Sequence, residues 1–98
     1  MNATSSFETA RASRYLTALV HHFGRKVEAA CDGDTGWVQF PFGRCDLIAA
    51  KNRLELSATA EDDKGLRRVE NIVTSHLERF AFRENPELVW SSPHTKTA

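Results

Sequence analysis

The sequence predicts one small soluble α+β domain, with two amphipathic helices packed on one face of an antiparallel sheet. Two stretches with helical apolar spacing predict it, separated by a middle in which apolar and polar residues alternate. The alternation is punctuated by short Asp, Gly and Asn clusters, so the middle strands join as a meander. An apolar sheet face and two amphipathic helices are satisfied together only if both helices cover that face.

Phe7–Arg11 reads as a short first strand. Ser13 then offers an N-cap oxygen. Tyr15, Leu16, Leu19, Val20 and Phe23 fall on one face of a helix over 13–23, closed by Gly24 and the basic pair Arg25–Lys26. Val27, Ala29 and Cys31 form one side of the next strand. Asp32 to Gly36 supplies a turn. Trp37–Phe42 follows with Val38, Phe40 and Phe42 on one face, limited by Pro41 and reversed at Gly43. Cys45, Leu47 and Ala49 alternate with Asp46 and Ile48. After a tight Lys51–Asn52 link, Leu54, Leu56, Ala58 and Ala60 alternate strictly with Arg53, Glu55, Ser57 and Thr59.

The second helix, from Asp62 to Phe82, opens on the acidic Glu61, Asp62 and Asp63. It carries Leu66, Val69, Ile72, Val73, His76, Leu77 and Phe80 at steps of three and four. Pro86 forbids its continuation. Glu87–Ser91 reads as a last strand, so the domain covers 7–91, with 1–6 and 92–98 as flexible tails. The order β-α-β-β-β-β-α-β is that of TATA-box-binding-protein-like and helix-grip folds, an analogy that carries no implication of DNA binding.

Composition narrows the function classes. Lys and Arg total 13, balanced by 13 Asp and Glu, so the basic excess typical of nucleic-acid binding is missing. No apolar run approaches the ~20 residues of a membrane span, and MNATSSFETA lacks the features of a signal peptide. A cytoplasmic location with reduced cysteines is expected, and no nucleic-acid or membrane partner. Phosphate loops, G-x-S-x-G, H-E-x-x-H and C-x-x-C motifs are absent. The chain is therefore expected to be a binding domain rather than an enzyme.

The candidate site residues are His22, His76, Cys45, Arg79, Arg83 and Trp90. His22 projects from the flank of the first apolar stripe and His76 from the face of the second, so helices lying side by side bring the imidazoles close. One reading is a metal or proton-transfer pair completed by Cys45 or a carboxylate. The other has each ring hydrogen-bonded at the rim of the core. In His76-Leu-Glu-Arg-Phe-Ala-Phe-Arg-Glu84, Arg79 and Arg83 could reach an anion. Alternatively, Phe80 enters the core, Phe82 caps it and Arg83 pairs with Glu84 or Glu87. Trp37 and Trp90 could line a pocket or close the core. His21 is expected to face solvent, and His94 lies in the tail.

Three motifs resemble a bacterial family of domains of unknown function, number 2218. They are Ser13-Arg-Tyr-Leu-x-x-Leu-x-x-His-His-Phe23, the Phe40-Pro-Phe-Gly-Arg-Cys45 corner, and His76 to Glu84 with Trp90. The resemblance spans Phe7 to Trp90. It implies a small bacterial protein without an assigned activity or known cofactor. Some relatives are domains attached to siderophore-interacting flavoprotein reductases, which implies a link to iron handling and a flavoprotein or small-ligand partner. One departure is Arg25, where relatives often carry histidine; a family metal site needing that residue would be missing here. Monomer and homodimer both remain open, since either outer strand could pair with a second copy.

Overall fold

A computed structural model describes residues 1–91. Five strands, β1 (Asn2–Glu8), β2 (Glu28–Asp32), β3 (Thr35–Phe40), β4 (Gly43–Ala50) and β5 (Arg53–Thr59), form one antiparallel sheet in the order β1-β5-β4-β3-β2. Helix α1 (Ala12–Phe23) links the two edge strands, and α2 (Asp63–Phe80) follows β5. The fold is the predicted α+β architecture. Strands β2 to β5 are a meander because two-residue turns join them. Gly33 and Asn52 carry the left-handed φ values of 65° and 58° that such turns require.

The register places Val38, Cys45 and Ala58 in one inward row, beside Leu47 paired with Leu56. Tyr15, Leu16, Leu19, Val20 and Phe23 of α1 and Leu66, Val69, Val73 and Leu77 of α2 meet them in a single core. Both helices therefore cover one sheet face. The other face is solvated: the Arg44 guanidinium lies 4.9 Å from the Trp37 ring centre and pairs with Asp46 at 3.1 Å.

Several boundaries differ from the sequence reading. The first strand is Asn2–Glu8 rather than Phe7–Arg11, so most of the expected 1–6 tail is sheet. Ala3, Ser5 and Phe7 face inward, and pairing from Asn2–Thr59 to Glu8–Arg53 holds the strand in place. Ser13 does not cap α1; its capping position is Arg11, whose backbone N–H donates to Thr9 Oγ1 at 3.0 Å. Helix α2 is capped as its acidic start predicts, with Asp62 Oδ1 accepting from the Gly65 N–H at 2.7 Å. It ends at Phe80, and a single 3₁₀ turn, Phe82–Glu84, follows.

Glu87–Ser91 makes only one bridge to the sheet, Thr4 to Ser91, where a strand is expected. Trp90 turns the other way, and its Nε1–H donates to Thr74 Oγ1 on α2 at 2.8 Å. The expected tail 92–98, including His94, lies outside the described residues.

A polar clamp fastens the 3₁₀ turn to α1. The Tyr15 hydroxyl donates to Glu84 Oε2, and Arg11 approaches the same oxygen at 3.5 Å. Hydrogen bonds from Tyr15 and Thr9, then the Arg11 charge, hold the Glu84 carboxyl below the usual carboxylate range. A depressed carboxyl pKa stabilises the fold at neutral pH and ceases to do so as pH falls through that range. This replaces the expected pairing of Glu84 with Arg83.

Candidate functional site

The three sequence motifs meet through Phe23 at the end of α1, which lies between His76 of α2 and Phe40 of β3, while the β3–β4 corner itself packs against the first half of α2. A ladder of rings joins them. Phe42 stacks on Phe40 at 5.2 Å, and Phe40 meets Phe23 edge-on at 5.1 Å. Phe23 lies 4.8 Å from His76, and His76 lies 4.8 Å from His22. His22 then meets Phe80 edge-on at 5.5 Å. The inner end is core, with Phe23 and Phe40 buried; the outer end is open, with Phe80 37% exposed. At the corner Arg68 covers the Phe42 ring at 4.3 Å.

Helical spacing produces the imidazole pair. His22 follows Leu19 by three residues and sits at the solvent edge of α1; His76 follows Val73 by three on α2 and is half-buried. The expected approach of the two rings is therefore what the fold produces. His76 Nδ1 lies 2.7 Å from the Ile72 carbonyl oxygen. A carbonyl only accepts, so Nδ1 carries the proton and the neutral ring keeps its lone pair on Nε2. Neither His76 Nε2 nor a His22 ring nitrogen has a hydrogen-bond partner among the described residues.

The surroundings are cationic. Partial burial pushes the His22 pKa below its ordinary value, and His76, Arg25, Arg79 and Lys26 lower it further. Among the described residues, none of Arg25, Lys26 and Arg79 takes part in the four ion pairs, which join Arg11–Glu84, Arg44–Asp46, Arg53–Glu55 and Arg67–Asp63. The site thus combines two imidazoles, an exposed phenyl ring and three cations that have no carboxylate partner among the described residues.

The other candidates separate from this pair. Cys45 is 1% exposed within the core, and burial pushes its thiol up to about 12, so it remains protonated and out of reach. Trp90 is occupied with Thr74 and packs against the core. The Arg83 guanidinium lies 5.8 Å from the Phe82 ring centre. Phe80 does not enter the core and Phe82 does not cap it as that alternative expects: Phe80 lies at the exposed end of α2, and Phe82, beyond the helix, is 68% exposed. Among the described residues no three His, Cys, Asp or Glu side chains are grouped to hold a metal ion, and no helix is long and apolar enough to cross a membrane.

Two comparisons bear on this arrangement. The model of the family described as "Uncharacterized protein conserved in bacteria (DUF2218)" matches residues 4–91, which include all three motifs. Among solved structures, the chain is similar to the NMR structure of PA4090 from Pseudomonas aeruginosa. Identity is 30%, the match covers 92% of this chain and 94% of that one, and the TM-score is 0.79. No curated protein matches the chain.

Proposed function

The chain belongs to this family of uncharacterized proteins conserved in bacteria, and on that premise we propose that it is a non-enzymatic binding domain for an anionic, ring-bearing iron chelate of the siderophore class. The observation that carries the reading is the His22–His76 pair, 4.8 Å apart, set beside Phe80 and the cations Arg25, Lys26 and Arg79. A catecholate complex is flat-ringed and negatively charged. Its rings can meet Phe80 and the imidazoles edge-to-face, and its charge can meet the three cations. The resemblance to domains attached to siderophore-interacting flavoprotein reductases supports the same direction. On this reading the domain acts in the bacterial cytoplasm beside such a reductase.

Calorimetric titration with the ferric complex of 2,3-dihydroxybenzoate tests the proposal. Saturable binding is expected, weakened at least tenfold, or about 1.4 kcal/mol, in the R25Q/R79Q double variant. Added salt is expected to weaken it too, since these charges are exposed. Absence of heat, or equal affinity in the double variant, would falsify the reading.

A further inference from the structure

We infer that His22 and His76 form a two-imidazole site for a late first-row metal ion that arrives already carrying an anionic chelate. It shares its face with the proposed anion site but does not depend on iron.

Two observations converge. His76 donates Nδ1–H to the Ile72 carbonyl at 2.7 Å, the backbone anchor that fixes tautomer and ring direction in metal-binding histidines and leaves Nε2 basic and available. The two rings lie 4.8 Å apart at 48° to each other, neither stacked nor hydrogen-bonded together. Rings sharing one tetrahedral ion have centres about 5 Å apart, given metal–nitrogen bonds of about 2.0–2.1 Å.

The charges decide which ion the site takes. Arg25, Lys26 and Arg79 oppose a bare dication, and no third protein ligand stands nearby among the described residues. An ion whose other positions are filled by carboxylates or phenolates has the opposite charge balance. Each imidazole then replaces one bound water by donating a lone pair, with no change of oxidation state. Imidazole preference favours copper(II), nickel(II) and zinc(II) over magnesium or calcium.

Nickel(II)–nitrilotriacetate, an anion with two open positions, is the probe, and nickel(II)–EDTA, an anion with none, is the control. The full chain is expected to bind the first with one-to-one stoichiometry and the second at least tenfold more weakly. H22Q and H76Q are each expected to weaken binding at least tenfold, whereas H21Q and H94Q retain it. With the diamagnetic zinc(II)–nitrilotriacetate, the unaltered protein should show a ¹⁵N shift at His76 Nε2 and not at Nδ1, a readout independent of any variant's folding. Equal binding of both nickel chelates, wild-type affinity in H76Q, or an unmoved Nε2 resonance overturns the inference. Loss of ferric catecholate binding with nickel–nitrilotriacetate binding intact would instead remove only the proposed function.

Discussion

Leu77→Ala is expected to destabilise the domain by about 2–5 kcal/mol, lowering its thermal midpoint by roughly 10–25 °C. Leu77 is fully buried on the inner face of α2, within the single core. Removing three carbons there loses both their transfer out of water and the contacts of the walls left behind. A domain of this size has about 5–15 kcal/mol in total, so the change consumes a large share. The measurement is urea unfolding followed by circular dichroism. A loss of unfolding free energy below about 0.5 kcal/mol would contradict the core described above.

Gly43→Ala is expected to cost about 1–3 kcal/mol or more, although glycine in a strand ordinarily lowers stability by about 0.5–1 kcal/mol relative to alanine. The steric effect wins because a Cβ at Gly43 would lie 2.6 Å from the Thr59 carbonyl oxygen and 2.7 Å from Val69 Cγ2. The first is backbone of the neighbouring strand and cannot swing aside. Gly33 provides the contrast: nothing lies within 4 Å of its Cβ position and its φ is 65°, so G33N, which tolerates that conformation, should change stability little. If G43A proves as stable as the parent, the close approach of β4, β5 and α2 is wrong.

Gly43 also shows how far the sequence carries. Its place at the β3–β4 reversal is legible from Pro41 and Phe42, but its physical reason is a close tertiary approach, which no local pattern reveals. The helices are legible because leucine, valine and aromatic residues recur at 3.6-residue spacing. The inward side of β1 is obscured because small Ala3 and polar Ser5 occupy two of its three buried positions, so alternation there carries little hydrophobic contrast. The strand expected at Glu87–Ser91 is reduced to the single Thr4–Ser91 bridge beside β1, with Trp90 held instead by Thr74 of α2, a partner that no local pattern reveals.

At the site, helical spacing is enough to bring His22 and His76 together. It does not locate the end of α2, so it places Phe80 in the core and Phe82 as its cap when both are exposed. Nor does spacing show that Glu84 belongs to Tyr15 and Arg11, residues some seventy positions earlier. The Ile72 carbonyl beneath His76 follows from i−4 geometry, whereas the lowered pKa of His22 depends first on desolvation and then on His76, Arg25, Arg79 and Lys26, which only the fold brings near it.

The two helices bring two imidazoles together on a cationic face that has no carboxylate partner among the described residues. Titration of the histidine ring resonances by NMR tests it most directly. A depressed folded-state pKa means that protonation is less favourable in the fold than in the unfolded chain, so this group lowers stability as pH falls below the ordinary histidine value. The account predicts that His22 titrates below its ordinary 6.5 and moves upward in H76Q. A His22 that titrates above 6.5, or that is unmoved when His76 is replaced, would contradict it.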